Sequence, residues 1–293
     1  MEKYREWLTE RYYSQKCIKD FIMRIGLFTK WLKFQGLTLK TIDYKGLLSY
    51  IGDLQTQEKS KTSINTTLRS IEHYYTFLQI RNIALNVRLR GTYQEQILLL
   101  SEEELLQIYS NYQNTTKHGY FKYSNKLILG LMIFQALDKQ DIMNLALKDI
   151  DLTKGTFQVP AGVRRKNERI IQLEAHQIIP LHDYIINYRG IGRNGKKSLE
   201  SSERLFHPNV NKEQRIHDQL KALAKAIRVQ NPDLNFKRLT QLKQSRIGIW
   251  IDLYGLRKTQ YLAGYKDVGN IEKYRNKDMK NLSKQIEMFH PLN

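Results

Sequence analysis

Apolar residues recur at steps of three and four through the first eighty positions, a period that fits helix and not sheet. Ile18, Phe21, Ile22, Ile25, Phe28, Trp31 and Leu32 form one stripe over residues 13–35, and Gly36 follows as its stop. Tyr44, Leu47, Leu48, Ile51 and Leu54 continue it over residues 43–54. A third stripe opens near Ser60 and carries Ile64, Leu68, Ile71, Tyr75 and Leu78. Basic residues interleave with all three, among them Lys16, Lys19, Arg24, Lys59, Lys61 and Arg69. The pattern predicts a small all-helical domain over residues 1–85 with basic exposed faces.

Residues 81–100 lose the period. Arg81, Arg88 and Arg90 lie among Asn82, Asn86 and Gly91, which predicts a basic linker over 86–100. Ser101 followed three residues later by Glu104 is a capping-box pattern, so a second domain is expected over 101–293, starting with a helix. The rest is mixed. Helices are expected over 101–111, 123–136, 139–147, 174–189, 212–229, 240–253, 257–263 and 278–288. Strand, turn and strand are expected over 149–159, with a third strand over 169–173 after a polar turn at Arg164–Asn167. Gly190–Ser202 reads as a surface loop. The fold class is therefore mainly α with a small antiparallel β-sheet.

Charge narrows the partner. The chain of 293 residues holds 48 Lys+Arg against 29 Asp+Glu, a net charge of +19, and both halves are basic. A folded chain with 41% hydrophobic residues and this charge is expected to meet a polyanion, nucleic acid first. The single cysteine, Cys17, excludes an internal disulfide and a cysteine zinc site. Met1–Glu10 carries no apolar signal core, and the longest apolar run, Leu127–Leu137, is too short to span a bilayer. A cytoplasmic bacterial protein associated with the nucleoid is expected, without membrane, metal or other cofactor. Phosphate-loop, GxSxG and HExxH signatures are absent. The residues by themselves lead to a two-domain basic protein that binds nucleic acid.

The order of segments after residue 130 goes further. Residues 134–157 (FQALDKQDIMNLALKDIDLTKGTF), 158–173 (QVPAGVRRKNERIIQL) and 239–264 (LTQLKQSRIGIWIDLYGLRKTQYLAG) come first, and residues 265–292 supply a tyrosine and a tail ending FHPL. Together they resemble the tyrosine recombinase (phage integrase) family, in particular integrases of mobile elements in Bacteroidetes-type bacteria, with a degenerate active site. The resemblance covers nearly the whole chain. It implies an N-terminal SAM-like core-binding domain followed by a recombinase catalytic domain. It also implies double-stranded DNA as partner, a dimer or tetramer on that DNA, and a tail over 278–292 that docks on a neighbouring protomer. The two basic domains and their linker would surround one duplex, with Lys16, Lys19, Lys59, Lys61, Arg69, Arg88 and Arg90 contacting phosphates.

The implied reaction is attack by a tyrosine hydroxyl on a DNA phosphodiester, giving a 3′-phosphotyrosyl link, while positive groups hold the phosphate as charge builds on its oxygens. Tyr274 falls at the nucleophile position, nine residues after Tyr265, which stands where the family has its second histidine. Arg164, Arg165 or Lys166 covers the strand-turn lysine. Asp141 matches a family acid. Besides Tyr265, three positions depart: Asp138 replaces the first arginine, with Lys139 beside it, Thr240 replaces a histidine, and Lys243 replaces the second arginine. Lysine keeps that charge but loses the bidentate fork, and Arg246, one turn on, is a candidate substitute. Two readings follow. One is a site-specific recombinase or integrase of a mobile element that exchanges DNA strands, with impaired catalysis. The other is a catalytically inactive relative acting as a DNA-binding architectural protein or regulator.

Overall fold

A computed structural model describes residues 1–91, 98–115, 119–162, 166–190, 203–206 and 213–275. The chain divides into two compact units, Met1–Gln96 and Ile97–Asn293.

The first unit is helical: α1 (Glu2–Glu10), α2 (Gln15–Phe34), α3 (Tyr44–Thr56) and α4 (Lys61–Leu78). Each of the last three begins where a short polar side chain takes up an otherwise unpartnered backbone N–H. Ser14 accepts from Cys17 N at 3.3 Å, Asp43 from Gly46 N at 2.7 Å and Ser60 from Ser63 N at 3.2 Å. The apolar stripes then meet: Ile18, Phe21, Ile25, Phe28 and Leu32 of α2 are buried with Leu47 and Ile51 of α3 and Ile64, Leu68, Ile71 and Tyr75 of α4. The sequence reading did not assign α1, because its surface is charged. Tyr4 and Leu8 nonetheless lie one helical turn apart and are both fully buried in this core. Part of the expected linker is tied to the unit: Asn65 clasps the backbone of Leu89, its amide N–H donating to Leu89 O and its carbonyl accepting from Leu89 N.

The second unit opens with α5 (Glu102–Asn111), whose expected capping box is formed: Ser101 Oγ accepts from Glu104 N at 3.2 Å and Glu104 accepts from Ser101 N at 2.7 Å. Then come α6 (Gly119–Phe134), α7 (Lys139–Asn144), β1 (Ile150–Asp151), β2 (Thr156–Val159), β3 (Arg169–Gln172), α8 (Ala175–Asp183), α9 (Glu213–Gln230), α10 (Leu239–Ala263) and α11 (Gly269–Glu272). The strands form one antiparallel sheet in the order β1-β2-β3, with Phe157 opposite Ile171 and Val159 opposite Arg169. Its inward residues Phe157, Val159 and Ile171 join a core with Leu105, Ile108, Leu129, Met132, Leu220 and Leu242. The two expected helices over 240–253 and 257–263 form one run, α10, broken at Gly255, where φ is 73° and ψ is 172°. The helix expected over 174–189 ends at Asp183 and passes into a π-helical turn, Tyr184–Tyr188. The short α11 was not foreseen. Most of the loop expected at Gly190–Ser202, and all of the expected helix and tail beyond residue 277, lie outside the described residues.

Candidate functional site

The site is built on the tight turn between α6 and α7. Ala136 takes a left-handed conformation there, with φ at 52°, and swings Asp138 to the start of α7. One carboxylate oxygen of Asp138, Oδ1, accepts from Gln140 N at 2.9 Å and Asp141 N at 3.1 Å. Asp141 closes the box by accepting from Asp138 N at 3.1 Å. The other oxygen, Oδ2, takes two ammonium groups: Lys166 Nζ, just before β3, at 2.5 Å, and Lys243 Nζ, on the first turns of α10, at 3.1 Å. Lys166 also donates to both Asp141 oxygens at 2.6 and 2.7 Å. Arg169 Nη2 reaches Asp141 at 3.3 Å.

Three cations thus face two carboxylates, and the cluster is largely removed from water. The side chains of Arg169, Lys243 and Asp141 are 0%, 4% and 4% exposed, against 35% for Asp138. Burial alone works against the charge on Asp138, but Lys243 and Lys166 outweigh it and hold the carboxyl well below its usual range. Lys166 is pushed down by burial and by Lys243, with Asp141 and Asp138 partly offsetting both. An incoming phosphate would therefore meet lysines already satisfied by carboxylates.

The two tyrosines lie beside this cluster. Asn167 N donates to Gly264 O at 2.7 Å, and Lys166 pairs with Tyr265 in an isolated antiparallel bridge. Gly264 ends α10 with φ at 73°. A Cβ there would sit 2.5 Å from Arg169 Nη1, so this turn requires glycine for conformation and for space. Tyr265 lies 5.2 Å (ring centroid) from Lys243 Nζ. Burial, then Tyr274, pushes its hydroxyl up to about 12, so it stays protonated near neutral pH. Tyr274 is buried in an apolar cluster with Ala136, Ile247, Trp250, Ile251, Ala263 and Ile271, against which Tyr265 also packs. Gly248 lets α10 come close to it: a Cβ there would be 3.1 Å from Tyr274 O.

Six of the residues expected at the site, Asp138, Asp141, Lys166, Lys243, Tyr265 and Tyr274, are thus gathered around the end of α6, the start of β3 and the two ends of α10. Arg246 is not with them. Its Nε donates to Ile133 O at 2.8 Å and its Nη1 pairs with Glu102 at 3.0 Å, so it ties α10 to α6 and α5 rather than standing in for the second arginine, whose place Lys243 holds. Arg164 and Arg165 lie outside the described residues. The expected DNA-contacting set, Lys16, Lys19, Lys59, Lys61, Arg69, Arg88 and Arg90, is exposed, and Arg88 is ion-paired with Glu72. The residue missed is Arg169. Strand parity held the clue: Ile171 faces inward, so Arg169, two positions earlier, must too. Among the described residues no group of three or more His, Cys, Asp or Glu side chains is placed to hold a metal ion. No helix among them is long and apolar enough to cross a membrane.

Residues 1–82 match the phage integrase N-terminal SAM-like domain. The tyrosine recombinase XerC of Staphylococcus epidermidis is 25% identical over 199 residues, covering 62% of this chain and 66% of the relative. The XerC of Staphylococcus carnosus is 24% identical over 206 residues, 64% of this chain and 69% of the relative. The structure of the Tn1549 transposon integrase in complex with circular intermediate DNA superimposes with a TM-score of 0.69 at 14% identity, covering 98% of each chain. A lambda integrase tetramer bound to a Holliday junction does so at 0.63 and 14%, covering 91% of this chain and 76% of the other. The chain carries a SAM-like domain of the phage-integrase kind, has the fold of the integrase structures, and is similar in sequence to tyrosine recombinases.

Proposed function

We propose that this chain is a DNA-binding protein of the tyrosine recombinase type, from a mobile element of the Bacteroidetes kind, in which DNA cleavage is impaired by Asp138. It acts on duplex DNA as a dimer or tetramer in the bacterial cytoplasm, associated with the nucleoid. Its helical domain spans 1–85, its linker 86–100 and its catalytic-type domain 101–293. One observation carries the impaired step: the Asp138 carboxylate sits between Lys166 and Lys243, the two lysines that would hold a phosphate. A carboxylate about 4 Å from a phosphate costs on the order of 4 kcal/mol at the effective dielectric near a protein surface. Losing one preorganised positive group at a reacting centre costs roughly 2.7–4 kcal/mol, about 100- to 1000-fold in rate. DNA binding is not affected in this way, since it draws on cations spread over both domains. The relatives named above support the DNA half of the reading: solved neighbours include complexes with circular intermediate DNA and a Holliday junction.

The competing reading is an active recombinase. It draws support from Tyr265, which lies beside Lys243 and Lys166, and from Tyr274, which lies in the apolar cluster that Tyr265 packs against. In that case the Tyr274 oxygen bonds to phosphorus, the P–O5′ bond breaks, and the phosphate becomes a 3′-phosphotyrosine. Tyr274 gives up its hydroxyl proton and the 5′ oxygen takes one up, leaving as a hydroxyl, while Tyr265 donates a hydrogen bond to a non-bridging oxygen. A nicked suicide substrate bearing the element's end decides between the readings. The impaired reading expects salt-sensitive binding with little or no denaturation-resistant adduct, and more adduct from Asp138→Asn, which keeps the helix cap but removes the charge. Abundant wild-type adduct that disappears in Tyr274→Phe would establish the active reading instead. Absence of DNA binding would overturn both.

A further inference from the structure

The helical unit holds a second charged site, unrelated to the tyrosine cluster. A groove of about 360 Å³ lies between the end of α1, the middle of α4 and the segment after α4. Three guanidinium groups line it, with one carboxylate, Glu72, among them. Two of the three are held in place. Arg11 lies 3.8 Å above the Trp7 ring and donates to Trp7 O at 3.4 Å. Arg88 is paired with Glu72 and donates to Val87 O at 2.6 Å. The third, Arg69, is exposed and forms no ion pair among the described residues. At the centre is His73. Its ring is stacked on Phe21 at 5.4 Å, Trp7 meets it edge-on at 6.4 Å, and its Nε2 is 3.2 Å from the Tyr13 hydroxyl.

We propose that this groove seats one phosphate of the DNA backbone, with Arg69 as the open guanidinium, and that seating it draws a proton from solvent onto His73. The inference rests on the reading of the chain as a DNA-binding protein and adds a place and a proton to it. The excess of guanidinium over carboxylate makes the groove an anion site, and a phosphodiester matches a guanidinium fork in shape and charge. The same excess acts on the imidazole. Half-burial holds His73 below its ordinary value; Glu72 raises it, while Arg69, Arg88 and Arg11 press it further down. These four are the charged groups that face it from α1, α4 and the following segment, and Tyr13 is the other titratable neighbour. A phosphate neutralises part of that field without displacing the ring, so the proton becomes easier to hold. By linkage, DNA affinity then rises as pH falls through the range in which His73 titrates.

The test follows the His73 imidazole by NMR in the intact protein, with and without a short duplex, assigned by His73→Gln. The expected result is a rise of about half a pKa unit or more on binding, with affinity gaining about threefold from high to low pH. Arg69→Gln, at an exposed position that folding does not need, is expected to abolish that rise. It is also expected to lower the salt slope of binding by about 0.9, the value of one phosphate contact. If the wild type binds DNA while His73 titrates unchanged and Arg69→Gln keeps the full salt slope, the groove is not a phosphate seat. If millimolar inorganic phosphate moves His73 and duplex DNA does not, the groove takes a small anion and the DNA assignment falls. Failure of the wild type to bind DNA in low salt would instead remove the reading on which the inference rests.

Discussion

At Asp138 one oxygen caps a helix and the other holds two lysines, and substitutions can separate the roles. Asparagine keeps a good cap and loses the charge; alanine loses both. Asp138→Ala is expected to cost about 3 kcal/mol, the low end for removing one partner of a buried pair because Asp141 remains. Asp138→Asn should cost about 1 kcal/mol less, the value of the cap. Urea denaturation of the three proteins measures both. The acid dependence has a definite sign. Because the folded carboxyl lies below its unfolded value of about 3.9, its contribution is full above that value and drains away as pH falls below it. The gap between wild type and Asp138→Asn is therefore expected to be constant near neutrality and to shrink below about pH 4. Most of this site was legible. Tyr274, Tyr265, Lys243, Lys166, Asp138 and Asp141 could be picked out because their order along the chain resembles one family's. Two features were hidden from that reading. Arg169 lies on a strand whose two isoleucines look equally apolar in sequence, and only the register shows which one faces in. Arg246 was legible as a charge but not as a direction: one helical turn from Lys243, its reach to Ile133 O and Glu102 depends on how α10 packs.

Among the elements, α10 does the most to assemble the site, and two glycines set its limits. Gly255 interrupts it in a conformation closed to other residues at low cost, and Gly264 ends it against Arg169. Gly264→Ala is expected to destabilise by at least about 2 kcal/mol, from left-handed backbone strain plus a clash with a side chain that is fully buried. Thermal melting will show it, and a loss under about 0.5 kcal/mol would mean that Arg169 moves aside easily, against its full burial. Arg246→Ala is expected to cost about 3 kcal/mol and to leave DNA affinity of the folded protein unchanged, since the fork faces α5 and α6. Titration of labelled duplex against the folded variant checks the second half. Elements with long apolar stripes, α2, α3 and α4, were readable from period alone. The helix α1 was not, since Tyr4, Trp7 and Leu8 are its only large apolar residues and charge masks the period. The break at Gly255 was expected as a gap between two helices, and the structure keeps it as a change of direction within one run.

Over the whole molecule, the surplus of 48 basic over 29 acidic residues sets how binding should respond to salt. If six to ten phosphates are contacted, affinity is expected to fall by about 10³–10⁵ between 50 and 200 mM salt, and a flat response would remove the electrostatic account. The division into a helical unit and a mixed unit was readable from the change of apolar period near residue 100. The charge balance inside the site was not readable from the total, because a sum over 293 residues says nothing about which lysines already have carboxylates. Lys166 pairs with Tyr265 along the backbone, and Asn167 donates to Gly264, so the start of β3 and the segment leading to Tyr274 are stitched edge to edge. The hairpin end at Lys166 therefore cannot part from the turn at Gly264 and Tyr265 without breaking these backbone contacts.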